Sequence, residues 1–284
     1  MTPATHSNWS LWMRQILAIM RIDLRKTFFA KRGLWIYFLA FCPEIPMVGH
    51  WLFSNQTDAL ANDVQIFSGI FQVFYLRVAI FFGCVGIFSN LFRGEMMDKS
   101  LHYYMLAPVR REVLVAGKFL SGLVASVVIF GGSTLLQFPA MYWHHGRELM
   151  HAYMFTGPGM SHLVSYFTAA VLACIGYGSL FLASGVLFRN PLIPAAGLLM
   201  WESINGFLPA LLKKLSVIYW LQSICPIAMP NPRGNARNIM ALLVVDIDPA
   251  PAGLAIANLL LIAAFVVVWA AMRARKLEIS YGTD

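Results

Sequence analysis

Hydrophobic residues in this chain come in long runs, and polar residues collect in the gaps between them. A backbone crossing a bilayer must satisfy its own hydrogen bonds, so an apolar run of about 20 residues predicts a transmembrane helix. Six segments meet that requirement: 33–53, 66–92, 113–142, 163–188, 191–211 and 252–272. The second and third are long enough to tilt or to project beyond the membrane.

Ahead of the first run, residues 9–29 have a different pattern. Arg14, Arg21 and Arg25 share one helical face, Ile16, Leu17, Met20 and Leu24 fall on the other side, and Trp9 and Trp12 suit the headgroup layer. This predicts an amphipathic helix lying in the membrane interface; the competing reading is a helix packed on a partner or on its own chain. Between the second and third runs lies a polar, basic stretch, 93–112. Within it Leu101, Tyr104 and Met105 recur at helical spacing, and Pro108 ends the pattern. A short amphipathic helix is expected there, crosswise under the membrane. Such an apolar face docks on another protein or folds back on its own spans, and spacing alone does not choose. The expected fold is all-α and polytopic. Residues 1–32 form the N-terminal interfacial part, and 33–284 the six-span domain with an external loop at 212–251.

Composition supports a membrane protein. Of 284 residues, 59% are hydrophobic and 12% charged, with mean hydropathy +0.66, where soluble domains carry about 25% charge. The formal charge of +8 would suggest nucleic acid in a soluble protein, but here the basic residues cluster at span ends. Arg14, Arg21, Arg25, Lys26, Lys31 and Arg32 precede the first span. Arg93, Lys99, Arg110, Arg111 and Lys118 lie between the second and third, Arg189 between the fourth and fifth, and Arg273, Arg275 and Lys276 follow the sixth. The loop between the first and second spans has Asp58 and Asp63 and no Lys or Arg. The positive-inside rule therefore puts both termini and the 93–118 stretch in the cytoplasm of a plasma (bacterial inner) membrane. The long loop 212–251 mixes its charges, with Lys213, Lys214, Arg233 and Arg237. No nucleic-acid partner is expected. The first residues lack the order of a cleavable signal peptide. Cys42, Cys84, Cys174 and Cys225 form no CxxC pair and read as apolar packing residues.

Three charges fall inside spans: Glu44, Arg77 and Glu202. Burial of such groups is costly, so each is expected to face a partner or a wet cavity. Glu44 and Arg77 sit at comparable depth on consecutive spans, which predicts an ion pair clasping them, with Glu202 competing for Arg77. Pro43 and Pro46 are expected to kink the first span. Gly131, Gly132, Gly176, Gly178 and Gly185 read as sites of close helix packing. His144, His145, His151 and His162, with Met150, Met154 and Met160, bring copper to mind, but their spacing matches no metal clamp. Neither a metal nor a cofactor is expected on this chain.

One stretch carries a resemblance. Glu95, Ser100, Leu101, Tyr104, Met105, Pro108, Val109, Arg111, Gly117 and Lys118 stand, without a gap, as in the loop between spans two and three of the type-2 ABC export permeases. That pattern is Glu, Thr-Leu, Leu-Leu, Pro-Val, Arg and Gly-Lys. Ser100 stands for its Thr, Lys99 for the Gly before it, and Tyr104-Met105 for Leu-Leu. The resemblance implies that Glu95, Ser100, Leu101, Tyr104, Met105, Pro108 and Arg111 belong to a coupling helix seated in a separate ATP-binding subunit. It also implies a second permease, as a homodimer or a sister chain, and a hydrophobic or amphiphilic cargo. In such proteins the external segment often forms partial helices, and the apolar stretch Leu215 to Leu221 is too short to span but suits that role. The chain has no GxxxxGK[ST] loop, so ATP hydrolysis is expected on the partner and not here. One rival is an ion-driven carrier relaying through Glu44, Arg77 and Glu202; against it, no internal repeat is visible. Another is a membrane enzyme, but neither HExxH nor GxSxG occurs.

Overall fold

The protein is seen in a computed structural model that describes residues 8–29, 33–53, 60–97, 104, 106, 108–188, 190–228 and 248–275. Among the described residues all regular structure is helical. In chain order the helices are α1 (Asn8–Phe29), α2 (Leu34–Phe41), α3 (Glu44–Phe53), α4 (Leu60–Met96), α5 (Arg111–His145), α6 (Arg147–His151), α7 (Gly159–Leu187), α8 (Leu192–Ser203), α9 (Ala210–Lys213), α10 (Val217–Ile224) and α11 (Ala252–Ala274).

Four of them, α4, α5, α7 and α11, are long and apolar enough to cross a membrane, and the protein is membrane-embedded on that ground. They match the runs expected at 66–92, 113–142, 163–188 and 252–272. The other two expected segments are broken. Residues 33–53 form α2 and α3, separated at Cys42-Pro43, because proline supplies no backbone donor and clashes with the preceding turn. Pro46 sits in the first turn of α3, where its missing N–H goes unused. The break is served from α5, where Ser133 Oγ and Gln137 Nε2 both donate to the carbonyl of Ala40, at 2.5 and 3.1 Å. Residues 191–211 form α8, a 3-10 turn at Ile204–Phe207, and α9; Asn205-Gly206 and Pro209 interrupt the run.

Helix α7 is the central element. Its most apolar window is 72% buried against 22% for α11, which packs on α7 along one side and exposes the rest. The ring of Phe88 on α4 is fully buried and fills the space between two glycines. A Cβ at Gly122 of α5 would lie 2.6 Å from the ring, and one at Gly178 of α7 2.4 Å from it. Helices α4 and α5 widen into π turns at Phe71–Ile80 and Val127–Gly131, and Tyr75 in the first donates its hydroxyl to the Phe130 carbonyl in the second, at 2.6 Å. Such turns free carbonyls that need a donor in an apolar interior.

The ends of the bundle differ. One carries α1, the end of α4, the start of α5 and the end of α11. The other carries the end of α3, the start of α4 and the end of α5. Helix α2 begins beside α1, where the Tyr37 hydroxyl donates to the Phe28 carbonyl, and α3 reaches Asp63 through His50 at the far end.

Candidate functional site

Helix α1 lies along the start of α5, and a small set of residues explains the fit. Ile19 and Asp23 of α1 are buried. Gly117 of α5 lets Ile19 approach, since a Cβ there would lie 3.1 Å from that side chain. The next residue, Lys118, has no exposed surface. Its Nζ lies 2.7 Å from Glu95 Oε2 at the end of α4 and 3.4 Å from Asp23 Oδ2. Glu95 Oε1 meets Lys26 Nζ at 3.4 Å, and Ser121 Oγ donates to Asp23 Oδ2 at 3.4 Å. Two lysines and two carboxylates thus balance their charges. The Lys118 ammonium also lies 5.1 Å from the centre of the Tyr104 ring and 5.4 Å from that of Phe92, within cation–π range.

This environment acts on its titratable groups. Burial pushes the Asp23 carboxyl above its ordinary value, opposed by Lys118 and reinforced by Glu95. Burial, with Glu95 and Asp23 alongside, pushes the Tyr104 hydroxyl well above its ordinary range, so it stays protonated.

The connection between α4 and α5 is tied down further along. Gln15 Nε2 of α1 donates to the Pro108 carbonyl at 3.1 Å, and the Arg110 guanidinium lies 4.9 Å from the Trp12 ring centre. Arg111 Nη1 donates to the carbonyls of Ala274 and Arg275, at 3.2 and 2.6 Å. These are orphan acceptors at the negative end of the α11 dipole, where a cation is favoured. Glu112 pairs with Arg275. Leu106, by contrast, is 79% exposed.

Of the expected docking set, Glu95 and Tyr104 meet at Lys118, whereas Pro108 is held by Gln15 of α1 and Arg111 by the end of α11. Ser100, Leu101 and Met105 lie outside the described residues. Sequence reasoning missed Asp23, whose charge sat unnoticed among the arginines of α1, and the side-chain role of Lys118. The packed side of α1 is the expected apolar one: Ile16, Met20 and Leu24 are half-buried beside the buried Ile19 and Asp23, Leu17 alone of the four is exposed, at 59%, and the reading of a helix packed on its own chain is the one the contacts fit. Arg14, Arg21 and Arg25 are exposed as a face.

The intramembrane charges separate. Among the described residues Glu44 and Arg77 form no ion pair. Glu44 lies against Ser133 of α5, and Glu44 Oε1 and Arg77 Nε are both buried without a hydrogen-bond partner. The expected clasp fails because α3 starts afresh after Pro43 and turns Glu44 towards α5. Glu202 is 3% exposed, and its carboxylate receives Ser216 Oγ at 2.8 Å and the backbone N–H groups of Val217 and Ile218 at 2.9 and 3.0 Å. It caps α10, a short buried helix packed on α7 and α11. A carboxylate at the first N–H groups of a helix is stabilised by both hydrogen bonds and dipole.

No protein-family model matches this chain, and no curated protein matches it at a significant level.

Proposed function

We propose that the protein is the membrane-spanning permease subunit of an ATP-binding cassette exporter of the type-2 class. It moves a hydrophobic or amphiphilic cargo using ATP hydrolysed by a separate subunit, and works as a homodimer or with a sister permease. The observation that carries this reading is the packing of Glu95 and Tyr104 around the buried Lys118 ammonium, with Leu106 left exposed beside them. A segment that transmits force from a soluble motor to a bundle must be held rigidly on its inner side and offer apolar surface on its outer side. Here the inner side is held by α1, α4 and α5, and through Arg111 by α11.

In this reading α2–α3 and α8–α9 complete six spans as broken helices, and the α1 end faces the cytoplasm. Helix α1 is then both a strut for the coupling segment and an interfacial element, since Trp9, Leu11, Met13 and Leu17 remain exposed on it. Closure of the ATPase pair around ATP would move the struts α4 and α5 together, a rigid-body switch biased by ligand. The rival ion relay has less support: the Glu202 carboxylate is committed to Ser216, Val217 and Ile218, and no ion pair joins Glu44 and Arg77 among the described residues.

The test is affinity purification of the full chain from its native membrane in mild detergent, with mass spectrometry and an ATPase assay. A nucleotide-binding subunit is expected to co-purify and to be lost in Leu106→Asp. A chain that purifies alone without ATPase activity overturns the proposal.

A further inference from the structure

At the far end of the bundle three histidines converge on one carboxylate. Asp63, in the first turn of α4, has a side chain with no exposed surface. His50 Nε2 from α3 lies 3.0 Å from its Oδ1, and His144 Nε2 and His145 Nε2 from the end of α5 lie 3.0 and 2.7 Å from its Oδ2. The His50 and His144 rings stand edge to face, centres 5.3 Å apart.

Hydrogen bonding accounts for two of the three histidines, and His50 Nε2 is bonded to Asp63 Oδ1. His145 Nε2 is hydrogen-bonded to Asp63 Oδ2. His144 Nε2 is as close to that carboxylate as His50 is, yet makes no aligned hydrogen bond to it, while its side chain is only 4% exposed. A buried polar nitrogen left unsatisfied costs about 1–3 kcal/mol. Imidazole nitrogens and a carboxylate converging in a largely buried site are what a borderline metal ion requires.

The geometry points to a divalent transition-metal site, of the kind that takes zinc, formed by His50, Asp63 and His144, with His145 holding the carboxylate. The three ligand atoms all lie within 4.8 Å of one another. A tetrahedral zinc ion with bonds of about 2.0–2.2 Å sets its ligand atoms roughly 3.3–3.5 Å apart, so small side-chain rotations suffice. The bond from His145 to the carboxylate is the outer support that orients a metal-bound carboxylate. A nitrogen-rich set selects against magnesium and calcium, which prefer oxygen. The ion would tie the second half of the broken segment to α4 and α5. Sequence grouping misleads here: His151 is exposed, and His162 Nδ1 bonds the Tyr153 hydroxyl at 2.9 Å, so neither joins the cluster.

The test uses the full chain in detergent, stripped with a chelator, titrated with zinc chloride and desalted before elemental analysis. About one zinc per chain is expected, retained in His151→Ala and weakened at least tenfold in His144→Ala and in His50→Ala. His50 is partly exposed, so its variant keeps the test open if His144→Ala does not fold. Wild-type thermal unfolding is expected to shift upward with zinc and not with magnesium, because an ion that binds only the folded state stabilises it. Substoichiometric zinc, equal binding by His50→Ala and wild type, or an unmoved midpoint overturns the site.

Discussion

Lys118 Nζ lies 2.7 Å from Glu95 Oε2, with none of the lysine side chain exposed. These residues are on different long helices, and the contact fixes the spacing of α4 and α5 just where the chain connects them. Removing one partner of a buried pair leaves an uncompensated charge, at about 3–5 kcal/mol. Lys118→Met leaves the Asp23 and Glu95 carboxylates facing each other and is expected to lose stability in that range. Thermal unfolding in detergent measures it; a change within the range of an ordinary surface substitution, about ±0.5 kcal/mol, contradicts it.

Asp23 gives the cluster a pH dependence. Burial raises its folded pKa above the ordinary value of 3.8. The folded state therefore binds the proton more tightly than the unfolded chain, and the stability tied to Asp23 falls as pH rises from about that value towards the folded pKa. The slope is at most about 1.4 kcal/mol per pH unit. Relative to Asp23→Asn, the wild-type midpoint should decline between acidic and neutral pH. A constant difference between the two proteins would contradict this.

The Phe88 ring between Gly122 and Gly178 predicts sharp sensitivity to methyl groups. Gly178→Ala forces a contact at 2.4 Å against a ring with no room to retreat. Overpacking of this kind costs about 1–3 kcal/mol. Phe88→Leu should recover part of the loss in the double variant; strictly additive losses would show that the two sites do not meet.

Glu202 holds the first N–H groups of α10. Hydrogen bonds to a charged group contribute about 1.5–3 kcal/mol each, so Glu202→Ala should speed amide exchange across 217–224 by at least tenfold. Unchanged protection there would remove the capping role.

The long helices were legible because a bilayer demands continuous apolar runs, and α4, α5, α7 and α11 have them. Pro43 announced the break in the first run, but not that Ser133 and Gln137, far along the chain, would serve it. The Lys118 cluster was legible only in part. Glu95 and the Gly117-Lys118 step stood out by their order, whereas Asp23 pairs across 95 residues of sequence with no local signal. For the same reason the expected pair of Glu44 and Arg77 was misread: depth in a span gives height along the bundle and not direction around a helix. His50 and Asp63 were invisible as partners of His144, because only the fold brings α3 and α4 to the end of α5.

The cluster geometry also changes how the coupling proposal is best tested. Tyr104 stacks on Lys118, so altering it disturbs the chain's own packing. Leu106 is 79% exposed and carries no such burden. A photo-crosslinking amino acid at Leu106 in native membranes, compared with one at Leu261 on the exposed side of α11 (67% exposed), reads the partner directly. The account predicts that the Leu106 probe captures a nucleotide-binding ATPase subunit and that the Leu261 probe does not. Capture of no such subunit at Leu106, from cells in which the full chain is folded and membrane-inserted, would contradict the claim that this segment couples the protein to an ATPase.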